Sequence, residues 1–228
     1  MSRRSRTARL TVGVVVALLA LVACSDLTEP RGGPFEGTIA ASAGPGSSGA
    51  PTSQSVEDHI LVQADDAPPL ETLQAEFWAV AGERQTFKIR YDVPVEQENP
   101  SPDFFRLDLK QRSLVALPDG TPLAAGDSVL ITVTVDPSRL LVELEPTGLR
   151  FDPKEPAELR LVYLRANADF NGDGVVDAAD GAIETGALGI FFRLDASSPW
   201  EAVEADQDLT RKRFDADIDH FSGYTVSW

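Results

Sequence analysis

The sequence predicts an all-β protein, an antiparallel β-sandwich interrupted by one loop insertion and a short helix. Three observations predict it. Apolar residues from position 57 onward recur with period two, turn chemistry punctuates them at short intervals, and no segment carries a helical apolar stripe long enough for a βαβ unit. Phe87, Ile89 and Tyr91 alternate with Thr86, Lys88 and Arg90, and Phe105, Leu107 and Leu109 alternate with Arg106, Asp108 and Lys110. Each pattern marks a half-buried strand with one wet face. The stretches Val129 to Val135, Leu140 to Leu144, Ala157 to Leu164 and Leu188 to Arg193 are apolar on both parities, as interior strands are. Phe214, Ala216 and Ile218 alternate with Asp215, Asp217 and Asp219 near the C-terminus. Between the runs lie Pro118-Asp119-Gly120, Gly126-Asp127, Asp136-Pro137-Ser138, Pro146-Thr147-Gly148 and Asp152-Pro153, which carry turn chemistry. Roughly nine or ten short strands are expected on this spacing.

Composition narrows the function classes. The chain has 228 residues, 43% of them hydrophobic, with 20 basic and 36 acidic side chains and a net charge of −16. Nucleic-acid binding is disfavoured, because phosphate neutralisation needs clustered Lys and Arg. One cysteine and two histidines exclude internal disulfides and a His/Cys zinc centre.

Residues 1–23 read as a leader. Arg3, Arg4, Arg6 and Arg9 precede an apolar run from Leu10 to Ala23, 14 residues long, whereas a helix crossing a bilayer needs about 20. Removing the leader leaves 16 basic and 36 acidic side chains, a net charge of −20. The run ends in Leu21-Val22-Ala23-Cys24, which resembles the lipobox of bacterial lipoproteins. That resemblance implies cleavage before Cys24, acylation of its thiol and attachment to a membrane in the cell envelope. With Ser25 rather than Asp after the cysteine, it implies the outer membrane of a cell that has two. Ser2-Arg3-Arg4 is a partial twin-arginine signal. From Ser25 to Val56, sixteen of thirty-two residues are Gly, Pro or Ser, so residues 24–56 are expected to form a lipidated tether with an r.m.s. span of about 30 Å. The sandwich is then expected over residues 57–228.

The most specific motif runs from Asp169 to Asp180. Oxygen-bearing side chains stand at loop positions one, three, five, nine and twelve (Asp169, Asn171, Asp173, Asp177, Asp180), with Gly174 at six. Calcium takes six to eight hard oxygen ligands, and a twelve-residue loop with a sharp turn at its sixth position supplies them; Val175 would offer its carbonyl. The loop resembles those of EF-hands and, more closely, of dockerin modules. The resemblance implies side-chain ligation of calcium by Asp169, Asn171, Asp173, Asp177 and Asp180, with Asp177 acting directly or through water. Asp180 departs from the usual Glu, and there is no second loop, so cohesin binding does not carry over. The alternative is a solvated Asp/Gly turn without metal. A strand is expected before the loop, and a short helix from about Ala178 to Thr185, ended by Gly186, after it.

From Ser113 onward the features run Ser113-Leu114, Pro118-Asp119-Gly120, an Ile/Val/Thr strand, Glu145-Pro146-Thr147-Gly148-Leu149-Arg150-Phe151, Pro156-Ala157-Glu158-Leu159, Trp200-Glu201-Ala202-Val203 and His220-Phe221-Ser222-Gly223-Tyr224. This order resembles the ZU-five-type β-sandwich of ankyrins, netrin receptors and zonula occludens proteins. Some members of that family cleave themselves at His-Phe-Ser, which implies His220 as base and Ser222 as nucleophile toward the Phe221 carbonyl. The alternative is that His220 caps a strand while Phe221 packs.

The remaining signals are weaker. Asp215, Asp217 and Asp219 read as the wet side of an edge strand, no acid pair is marked for glycoside hydrolysis, and Trp78 and Trp200 suit either sugar stacking or core packing. The expected function is therefore non-catalytic: a membrane-anchored envelope module with one structural calcium, serving a protein or glycan partner. Self-cleavage between Phe221 and Ser222 and carbohydrate binding are the alternatives.

Overall fold

In the computed structural model, residues 53–94, 102–136 and 138–228 are described. They lie in the second of two compact units, Ser48–Trp228. The leader, Cys24 and most of the expected tether lie outside the described residues. Among the described residues no helix is long and apolar enough to cross a membrane.

Thirteen strands and two helices occur among these residues, all strand pairings being antiparallel. One sheet has six strands. They are β1 (Gln74–Val80), β5 (Ser128–Asp136), β6 (Leu141–Glu145), β13 (Gly223–Ser227), β9 (Gly189–Arg193) and β10 (Glu201–Val203), in that spatial order. The other has five: β11 (Asp206–Asp208), β12 (Arg213–Ile218), β8 (Ala157–Val162), β3 (Asp103–Leu109) and β2 (Gln85–Arg90). A small ribbon pairs β4 (Leu114–Ala116) with β7 (Arg150–Phe151). The expected all-β sandwich is what the chain forms, and the apolar runs read as interior strands correspond to β5, β6, β8 and β9, none of which lies at an edge.

The core follows from strand alternation, which sends every second side chain to the same face. Ile131, Val133, Val142, Leu144, Ile190, Tyr224 and Val226 of the six-stranded sheet share one buried cluster with Ile89, Phe105, Leu107, Leu159, Leu161, Phe214 and Ala216 of the five-stranded sheet. At one side β1 and β2, consecutive in sequence, belong to different sheets, and Phe77 stacks on Phe87 with centroids 4.7 Å apart.

The outer face of the five-stranded sheet is charged. Cross-strand register places Lys88, Arg106 and Arg160 side by side, and beside them Asp108, Glu158 and Asp217. Like charges directly opposite are unfavourable, and pairs of opposite charge along and across the strands offset this. Arg106 binds Asp108, Arg160 binds Asp215, and Lys88 holds Asp103 at 2.8 Å. The Asp215/Asp217 row is therefore not on an edge strand. β12 lies between β11 and β8, and its acids are paired with cations, Asp215 with Arg160 of β8 and Asp217 with Lys110, just past β3, at 3.4 Å.

The outer face of the six-stranded sheet is half covered. Helix α1 (Ser53–Asp58) includes the last four residues of the stretch read as tether, and its Val56 is buried in a second cluster with Ile60, Leu141, Phe191 and Trp200. Glu57 fastens the helix. Its carboxylate accepts Arg139 Nη1 at 2.9 Å, Arg193 Nη1 at 3.0 Å and Trp200 Nε1 at 2.7 Å. Burial alone would raise the Glu57 carboxyl, but the Trp200 and Arg139 hydrogen bonds and the neighbouring guanidinium charges hold it below its ordinary value.

Candidate functional site

The Asp/Asn/Gly loop joins β8 to β9 and so carries the chain from the five-stranded to the six-stranded sheet. Its shape comes from its own acids, which bind backbone amides a few residues on, as Asp and Asn do in turns. Asp169 Oδ1 accepts the amide of Asp173 at 3.1 Å and Oδ2 that of Gly174 at 2.8 Å. Asn171 Oδ1 accepts the amide of Asp173 at 3.0 Å, and Asp173 Oδ1 that of Val175 at 2.8 Å. Gly174 has φ +86°, the left-handed turn expected at the sixth position, and Gly172 has φ +72°. A side chain at either would be strained.

Helix α2 (Ala178–Gly186) follows, close to the expected bounds. Asp177 is its N-cap, accepting the Ala179 amide at 2.7 Å, and Asp180 returns to the Asp177 amide at 2.8 Å to complete a capping box. Asp180 does more. Its Oδ1 accepts the amides of Phe170 at 2.7 Å and Asn171 at 3.2 Å, so one buried carboxylate ties the loop's entry to its exit. These backbone donors hold the Asp180 carboxyl below its ordinary range, that of Asp177 contributing most.

The donor set is the hard-oxygen kind that calcium prefers. Among the described residues, however, no group of three or more His, Cys, Asp or Glu side chains is arranged to hold a metal ion. The loop acids are turned toward amides. A carboxylate or amide oxygen with one amide donor keeps a lone pair, so Asp169, Asn171 and Asp173 retain ligating capacity; the exposed Asp177 side chain accepts the amides of Ala179 and Asp180 in the cap. Asp180 fits least well, because its Oδ1 already accepts two amides, its Oδ2 a third, and it is 2% exposed. Val175 is exposed, with its amide on Asp173.

The His-Phe-Ser segment leads into β13. Phe221 is fully buried and packs edge-on against Phe151; its carbonyl accepts the Gly148 amide at 2.8 Å. His220 Nδ1 bonds Asp219, while His220 Nε2 and Ser222 Oγ are buried without a hydrogen-bond partner among the described residues. Phe192 touches both His220 and Tyr224.

The two tryptophans separate. Trp200 is buried, and the Arg193 guanidinium lies 4.5 Å above its ring, whereas Trp78 is 60% exposed on β1. The Glu57 junction has no local sequence signal, since its partners lie 82, 136 and 143 residues away. Gly172 was detectable, because Asn171-Gly172 is a turn dipeptide.

Comparison with protein-family models, with curated proteins and with solved structures finds no match to the chain.

Proposed function

We propose that the chain is a lipid-anchored module of the cell envelope that binds one structural calcium ion in loop 169–180 and acts as a binding or structural protein rather than a catalyst. The carrying observation is the loop itself. Asp169, Asn171 and Asp173 hold its first turn, left-handed glycines stand at positions four and six, and both ends are latched by Asp180. Calcium would be held by Asp169, Asn171, Asp173, the Val175 carbonyl and Asp177, and its charge would offset repulsion among the loop carboxylates. With no second loop to pair with, an opening hand of the sensor type has no counterpart here. Anchoring at Cys24 rests on the lipobox resemblance.

Two measurements test this reading. Calorimetric titration of chelator-treated protein should give one calcium site, lost in the Asp169→Ala/Asp173→Ala double variant; absence of heat at millimolar calcium rejects the site. In cells, Cys24→Ser should move the protein from the detergent phase to the aqueous phase. Equal partitioning rejects the anchor.

A second reading is favoured by the two unpartnered polar atoms near the Phe221–Ser222 bond. Ser222 Oγ would attack the Phe221 carbonyl carbon, polarised by the Gly148 amide, as its proton passes to His220 Nε2 and on to the departing amide nitrogen. Water would then open the resulting ester, leaving a Phe221 carboxylate and a new amino terminus at Ser222. Intact-mass measurement decides it: two fragments, absent in Ser222→Ala, support cleavage, and a single uncut chain rejects it.

A further inference from the structure

The part of the six-stranded sheet left open by α1 presents a surface unlike the rest of the molecule. Trp78, 60% exposed, lies directly opposite Leu130, 40% exposed. The next rows on the same face run Glu76, Thr132, Glu145 and then Gln74, Thr134, Glu143, Gly223, Arg193. On the five-stranded sheet nearly every outward carboxylate is matched to a cation. Here Glu76, Glu143 and Glu145 are exposed and have no ion pair or hydrogen bond from a side chain among the described residues. Unbalanced charge beside an exposed indole is costly to leave without purpose in a chain already at −16.

The face is also recessed. Gly223 forms a floor between Arg193 and Glu143; an added Cβ would lie 3.8 Å from the Arg193 side chain and 3.9 Å from that of Glu143. Arg193 is fixed as one wall by Glu57, and Glu145 and Thr147 extend the other. With strands about 4.8 Å apart, the distance from β1 to β13 is about 14 Å.

The edge of β1 is capped near both ends. Thr72 Oγ1 bonds both the amide and the carbonyl of Gln74, while the Gln85 amide group bonds the Trp78 carbonyl at 2.9 Å and the Val80 amide at 3.1 Å. The open face, with its unpaired side chains, is the larger surface offered to a ligand. The flat indole suits an apolar ring surface, the carboxylates accept hydrogen bonds and donate none, and their field repels anions.

We propose that this open face binds an oligosaccharide lacking acid groups. Trp78 stacks on one sugar ring, and Glu76, Glu143 and Glu145 accept hydroxyl protons from the units lying toward the Gly223 recess. This site is independent of the calcium reading.

The test is gel retardation of the protein in polyacrylamide containing mixed-linkage β-glucan, xylan, galactomannan or starch, with polygalacturonate as the acidic arm. At least one uncharged polymer should retard the protein. Trp78→Ala should weaken this at least about tenfold without changing the melting temperature, Trp78→Phe should keep part of it, and Glu145→Gln should weaken it. Chelator should not alter the retardation. No retardation by any uncharged polymer overturns the proposal, as do preferential retardation by polygalacturonate and an unaffected Trp78→Ala variant. Sedimentation showing a dimer that dissolves on Trp78→Ala assigns the face to a second copy and overturns it too.

Discussion

The indole Nε1 of Trp228 donates to the carbonyl of Phe170 at 3.2 Å, and the same ring stacks on His59 with centroids 4.0 Å apart. Phe170 is the second residue of the Asp/Asn loop, and His59 follows α1. The Asn167 amide adds a bond to Val62 at 2.9 Å. Loop, α1 and the end of β13 thus meet at one aromatic joint. Trp228 emission should shift in a calcium titration, and Trp228→Phe should abolish the shift while calorimetry still detects one site. A shift retained in Trp228→Phe would place the reporter elsewhere.

Calcium should raise the melting temperature by an increment that grows with the logarithm of free calcium above the dissociation constant. At free calcium one hundred times the dissociation constant, linkage predicts about 2.7 kcal/mol of added stability. Differential scanning calorimetry with and without chelator measures this, and Asp169→Ala/Asp173→Ala should melt identically in both.

Glu57 makes a pH-dependent contribution whose sign follows from its lowered folded-state value. The contribution is fully present above the unfolded value, about 4.3, and is lost as pH falls through the lower folded value. Glu57→Gln should cost about 1 kcal/mol at pH 7, a figure discounted because the carboxylate is partly exposed. The difference from the parent protein should shrink in melts below about pH 4.

Gln85→Ala should uncap the Trp78 carbonyl and the Val80 amide. An edge with free backbone groups recruits other chains, so light scattering should show association at concentrations where the parent stays monodisperse. Stability should fall by only about 1 kcal/mol.

β3, β5, β6, β8, β9 and β12 were legible because their apolar residues repeat over five or more positions. β1 was not, since Trp78 stands on the wet face among Gln74 and Glu76 and blurs the alternation. β13 concealed itself in the opposite way: Thr225 and Ser227 are buried, each bonding a backbone carbonyl. β4, β7, β10 and β11 have two or three residues each, too few for a period to show. The loop and its helix were read closely because capping and turn chemistry are local. What stayed hidden was the second task of Asp180, which depends on amides nine and ten residues back, and the Glu57 junction, which depends on folding.

Because Leu61 donates to Val226 and accepts from Leu140, at 3.0 and 2.8 Å, the chain leaving α1 is stitched to the middle of the six-stranded sheet rather than to its rim. Tension arriving through the residues ahead of Ser53 would meet the Glu57 clamp and then strands flanked on both sides. Such a load would enter the sheet at interior strands and not at its margin.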